Sequence, residues 1–286
     1  LVKKERGEIL DYQNDPYIDE WTGYSYETDE NGIVNNLNPG NNKDMSQFDS
    51  VAKTQPLRNW LTTSQKVNEK AIVSFLGDSV LDCDSYTKSK KNTVDYILEL
   101  LPNGKRNKDL VNDQSVDGYT IYDVLGSCDK ANDKSDYIVI SAGGNDLLQN
   151  ALPLLAKDLE INDLFGLLNR QLDNNIDAYK TVIGQLKKDG RKFLLLTCYD
   201  GNMAYDFNSY QDIDNICETV VSMWNDRIYR LASEFNYVDV LETRNIFDET
   251  CYFNDIEPND RGAKRLAKHI HNWLVRNDAT NVGGSK

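Results

Sequence analysis

Ala71-Ile72-Val73-Ser74-Phe75-Leu76-Gly77-Asp78-Ser79-Val80 is the stretch on which the fold turns. An apolar run of strand length breaks at a glycine, and residues 93–101 then carry apolar side chains at helical spacing. A buried strand that feeds a glycine-containing turn and then a helix is how α/β proteins present a side chain at the carboxyl end of a parallel sheet. Ser79 stands in that turn, with its backbone N–H and its hydroxyl available together, and is the candidate nucleophile. Gly-Asp-Ser alone is short enough to recur by chance, so the other strand ends must carry the argument.

Outward from that stretch a β–α rhythm continues. Strands are expected at 71–76, 110–112, 137–141, 192–198 and 237–241. Helices are expected at 93–101, 119–127, 173–188, 213–235 and 260–275. Trp224, Ile228, Leu231 and Phe235 recur at three- and four-residue steps and mark one apolar stripe. Such alternation predicts an α/β fold, a five-stranded parallel sheet covered on both faces. Ligand sites in such sheets form beyond the carboxyl ends of the strands. Residues 147–172, rich in Leu with Pro153 and Gly166, read as an insertion of short helices near that rim, either an acyl-accepting surface or plain packing.

Residues 1–68 read differently from 69–286, which form the main domain. Asp, Asn, Tyr and Gly dominate the first segment, turn formers recur, and no period lasts long. Trp21, Tyr24, Tyr26 and Trp60 are too apolar for a free linker. The segment is expected to be an irregular arm packed on the main domain, or a surface for a protein partner or an overhang on a substrate groove.

The 286 residues carry a formal net charge of −14. That charge repels polyanions, so nucleic acid and anionic lipid surfaces are not expected as ligands. No apolar run reaches the roughly 20 residues of a membrane span, and residues 1–15 lack a signal-peptide layout. The chain begins at Leu1, as a fragment or a processed form would, and cytoplasmic and secreted locations both stay open. Five cysteines without CxxC spacing argue against a zinc site and a dense disulfide framework. Cys198 reads as a small buried apolar residue of a core strand. The absence of any Asn-x-Ser/Thr triplet leans away from a glycosylated protein.

Three strand-end loops hold what acyl transfer needs. Ser79 follows the first strand. Val116-Asp117-Gly118-Tyr119-Thr120 follows the second, where Gly118 offers a bare backbone N–H. Ser141-Ala142-Gly143-Gly144-Asn145-Asp146 follows the third and brings the Asn145 carboxamide into the open. Two backbone N–H groups and one amide could converge on a tetrahedral oxyanion.

These blocks, in this order and spacing, resemble the SGNH (GDSL) hydrolase family over residues 70–276. The resemblance implies a flavodoxin-like three-layer α/β/α fold and cleavage of esters, lipids or carbohydrate acetyl groups without a cofactor. It implies Ser79 as nucleophile and Ser79, Gly118 and Asn145 as the oxyanion hole. The family's last block, Asp-x-x-His-Pro, is replaced here by Asn254-Asp255-Ile256-Glu257-Pro258, which sets Glu257 at the His position and Asn254 at the Asp position. The two histidines, His269 and His271, lie twelve or more residues further along an expected helix, roughly 18 Å away.

Two functional readings follow. In the first, Glu257 is the base. A carboxylate of ordinary pKa about 4.3 is weaker than imidazole at about 6.5, so burial must raise it. An Asp at 254 would repel that carboxylate, whereas Asn254 can donate an N–H to it and orient it. In the second, Ser79 is not activated and the pocket is a binding or effector site. A third arrangement, a hard cation held by Asp78, Asp255 and Glu257, is allowed by residue type but not demanded by spacing.

Overall fold

The computed structural model describes residues 17–19, 24–28, 34–39, 71–101, 108–155, 159–199, 201 and 211–281. The chain divides into two compact units, Leu1–Ser64 and Gln65–Lys286.

In the first unit, β1 (Tyr17–Asp19), β2 (Tyr24–Thr28) and β3 (Val34–Pro39) form an antiparallel sheet in the order β1-β2-β3. The expectation of a wholly irregular arm is corrected on this point. Tyr24-Ser25-Tyr26-Glu27-Thr28 alternates aromatic or β-branched with polar residues, which suits a pleated strand. Trp21 and Trp60 lie outside the described residues.

The second unit contains β4 (Val73–Gly77), β5 (Val111–Ser115), β6 (Tyr137–Ser141), β7 (Lys192–Leu196) and β8 (Val238–Leu241). All neighbouring pairs are parallel, in the order β5-β4-β6-β7-β8. This order reverses direction at β4, as doubly wound flavodoxin-like sheets do. The main helices are α1 (Thr93–Leu100), α2 (Ile121–Gly126), α3 (Ile161–Leu186), α4 (Gln211–Ser233) and α5 (Asp260–Asn281).

Strand side chains alternate between two apolar layers, because successive residues point to opposite faces. Val73, Phe75, Val139, Leu194 and Leu196 pack with Val94 and Ile97 of α1 and with Leu266, Ile270 and Trp273 of α5. Leu76, Ile138, Ile140, Phe193 and Leu195 pack with α2, α3 and α4, where Trp224, Ile228 and Leu231 form the stripe read from the sequence. The result is a three-layer α/β/α domain.

The sequence also misplaced one helix. Residues 161–172 belong to the long α3 rather than to an insertion, and only 144–155 make short helical pieces. Gly166 sits inside α3, where a lone glycine is tolerated at a cost of about 1 kcal/mol. Strand β7 ends at Leu196, which leaves Cys198 in the loop beyond it. Among the described residues no helix is long and apolar enough to cross a membrane.

Candidate active site

The register of the central strands sets the site. Gly77 at the end of β4 lies level with Ser115 of β5 and Ser141 of β6. Three strand-end loops therefore start side by side. Gly77 has φ +155°, and a Cβ there would stand 2.2 Å from the Ser141 carbonyl oxygen. Glycine is required because the two backbones are too close for any side chain.

Just beyond, Asp78 turns inward and is 3% exposed. Its Oδ1 accepts from Ser141 Oγ at 2.7 Å and from the Val80 N–H at 3.2 Å. Its carbonyl accepts from the Leu81 and Asp82 amides, which closes the turn and fixes Ser79 at its tip. Burial pushes the Asp78 carboxyl up to about 7, the Ser141 and Val80 bonds oppose this, and the Glu257 charge adds to it.

The third loop is built around Gly143, at φ +118°, where a Cβ would meet the Trp224 ring at 2.4 Å. The chain then enters a helical turn. Asp146 accepts from the Ile121 N–H at 2.9 Å, and Asn145 Nδ2 donates to the Tyr119 carbonyl at 3.0 Å. These bonds tie the Asn145 loop to the Gly118 loop. One of the two amide hydrogens of Asn145 is used there, leaving the other for a ligand.

Glu257 arrives from the segment before α5. An isolated antiparallel bridge pairs Tyr252 with Pro258, and the Phe253 N–H donates to the Glu257 carbonyl at 2.8 Å. Asn254 is exposed, and its Oδ1 accepts from the Ile256 and Glu257 amides at 3.1 and 2.8 Å. The expected N–H bond from Asn254 to the Glu257 carboxylate is thus replaced by bonds to the backbone that carries Glu257. The Tyr199 hydroxyl holds the same backbone by donating to the Ile256 carbonyl at 2.6 Å. Asn259 follows and caps α5, with its Oδ1 accepting from Arg261 and Gly262.

Ser79, Asn145 and Glu257 line one cavity of about 80 Å³. Away from those three, its wall is mostly apolar, with Leu147, Leu148, Val220 and Val221. Gly118 is exposed and lies outside that lining, linked to Asn145 through the Tyr119 carbonyl. Glu257 is 9% exposed, and its Oε2 has no hydrogen-bond partner among the described residues. Burial raises its pKa, the nearby Ser79 side chain opposes this, and the Asp117 charge raises it further. Both histidines lie on α5, and neither lines the cavity. Asp78, Asp255 and Glu257 do not form a metal-ligand group, since no cluster of three His, Cys, Asp or Glu exists among the described residues.

Several lining residues were not legible beforehand. Cys198, expected in a core strand, lines the cavity, and Asn225 brackets its backbone with bonds of 2.8 and 2.7 Å. Leu147 and Leu148 come from the Leu-rich segment whose acyl role was left open.

The family model described as "GDSL-like Lipase/Acylhydrolase family" matches residues 75–265. The chain belongs to this family. As a GDSL-like lipase/acylhydrolase it is an ester hydrolase. Solved structures of the same fold include the lipase Lip_vut3 from a goat rumen metagenome, at 18% identity and TM-score 0.51, covering 70% of this chain and 95% of that one. Another is Axe2, an acetylxylan esterase from Geobacillus stearothermophilus, at 19% identity and TM-score 0.51, covering 77% and 97%. At such identities the likeness establishes the fold. No curated protein is similar enough to count as a match.

Proposed function

We propose that this GDSL-like acylhydrolase cleaves its ester through Ser79 as nucleophile with Glu257 as the base. The observation that carries the reading is that Ser79, Asn145 and Glu257 line one cavity, with the Ser79 hydroxyl close enough to act on the buried Glu257 carboxyl. The carboxylate accepts the Ser79 proton as Oγ attacks the ester carbonyl. The tetrahedral oxyanion is met by the Ser79 and Gly118 amides and by Asn145 Nδ2. Protonated Glu257 then gives the proton to the leaving alcohol, and water repeats the sequence on the acyl-enzyme. Asn254 is a positioning residue, acting through the Glu257 backbone.

A carboxylate can replace imidazole only if its pKa is raised, and burial and Asp117 both raise it. The apolar wall of Leu147, Leu148, Val220 and Val221 suits the acyl half of a small-molecule, glycan or lipid ester. Among proteins of this fold, Axe2 is described as an acetylxylan esterase, which keeps an acylated glycan within that range.

Fluorophosphonate labelling tests the reading. The expected result is one label on the native protein at pH 7.5, less at pH 5, and none on Ser79→Ala or Glu257→Gln. A folded native protein that takes no label at either pH overturns the nucleophile assignment and leaves a pocket that binds without cutting. Full labelling of Glu257→Gln overturns the base.

A further inference from the structure

The ester cavity has an acidic lining, and an aromatic pair stands beside the backbone that carries Glu257. Asp78 and Glu257 line the cavity, with no Lys, Arg or His in its lining. Outside that lining, the Tyr86 hydroxyl donates to Asp117 Oδ2 at 2.7 Å, and the Asp117 amide donates to Asp82 Oδ2 at 3.0 Å. The Asp117 bond, burial and the charges of Glu257, Asp117 and Asp82 together push the ionisation of this phenol up.

The aromatic component stands against the same phenol. Phe253 is 64% exposed, and its ring centroid lies 5.9 Å from that of Tyr86. Its backbone is bonded to Glu257. The buried Glu257 Oε2, unpartnered and on the cavity wall, supplies an uncompensated acceptor within the cluster.

Aromatic faces and carboxylates share one preferred ligand class. Cations are drawn to the ring quadrupole and to the carboxylate charge together. We propose that the alcohol half of the substrate carries a positively charged ammonium group, seated on Tyr86 and Phe253 beside Asp117, with the acyl half in the apolar cavity. This rests on the hydrolase reading above. It also gives the cation a part in the chemistry. Asp117 repels the ionised form of Glu257, and a positive group between them offsets that repulsion and keeps the base ionised. The chain's net charge of −14 draws the same ligand by long-range attraction.

The test compares butyrylcholine with its uncharged isostere 3,3-dimethylbutyl butyrate on the full chain. The expected kcat/KM ratio is about tenfold or more in favour of the choline ester at low ionic strength, shrinking as salt is added. The ratio is expected to fall toward unity in Phe253→Leu and in Asp117→Asn, both at exposed positions. Calorimetric binding of the two esters to Ser79→Ala separates this inference from the hydrolase reading. Tighter binding of the choline ester there, without turnover by the native protein, supports the cation site and rejects the nucleophile. Equal binding and equal turnover, or a preference for the neutral isostere, overturn the cation site even where both esters are hydrolysed.

Discussion

Ser141 Oγ donates to Asp78 Oδ1 at 2.7 Å across the carboxyl ends of two adjacent parallel strands. The bond locks the turn that carries Ser79, yet the carboxylate it holds is buried. Its pKa of about 7, against an ordinary 3.8, means the folded protein keeps a proton that the unfolded chain has released.

Stability therefore falls as pH rises from about 4 to about 7 and is flat above that window. The penalty for ionised Asp78 is at most about 4 kcal/mol. Asp78→Asn keeps an Oδ1 acceptor for Ser141 and Val80 and removes the charge. Urea unfolding is expected to show the variant near the native protein at pH 4.5 and more stable by a few kcal/mol at pH 8. Identical pH slopes for the two proteins would rule this out.

Glu257 gives the corresponding prediction for rate. Turnover requires its ionised form, and both burial and Asp117 oppose ionisation. The kcat/KM profile is expected to rise with pH through an inflection above the ordinary carboxylate range. Asp117→Asn removes the repelling charge and should move that inflection to lower pH. Glu257→Gln should lose activity without losing stability, since the amide avoids the desolvation that the carboxylate suffers. An inflection unmoved by Asp117→Asn would dissociate Asp117 from the base.

Asn145 has one amide hydrogen fixed on the Tyr119 carbonyl. If the other meets the oxyanion, Asn145→Ala should lower kcat by about 10²–10³ with little change in KM. A change confined to KM would place Asn145 in ground-state binding instead.

The central sheet was legible because β4, β6 and β7 are nearly unbroken apolar runs, buried on both faces. Strand β5 was read one residue early at its start and three short at its end. Val111-Asn112-Asp113-Gln114-Ser115 is the edge strand and is only partly buried, so its apolar signal is weak. The start of α3 was hidden by Gly166 and by the Leu-rich stretch before it. The site loops could be read because each stands at a strand end, which topology brings together. The cluster of Tyr86, Asp117 and Phe253 could not, because those residues are more than thirty positions apart in pairs and share no motif. Only the turn after β4 and the bridge before α5 bring them into contact.

Gly143 tests whether that topology tolerates any adjustment. An added Cβ would stand 2.4 Å from the fully buried Trp224 ring, at a φ that L residues avoid. Gly143→Ala is expected to cost about 3 kcal/mol or more, from backbone strain and overpacking together. The measurement is the urea midpoint. A near-native midpoint would mean that α4 can shift without loss.

The last prediction concerns Leu1–Ser64. All five parallel strands, both apolar layers and every residue assigned to the site lie within Gln65–Lys286. The chain beginning at Gln65 is therefore expected to fold and to take the fluorophosphonate label. Its Tm should lie within about 4 °C of the full chain, the shift that about 1 kcal/mol gives a domain of this size. An insoluble product would show that the first unit completes the core of the second. A folded product with altered preference among esters would show that the first unit shapes the groove beyond Ser79, and the comparison of the choline ester with its neutral isostere would then measure how much of the cation site it supplies.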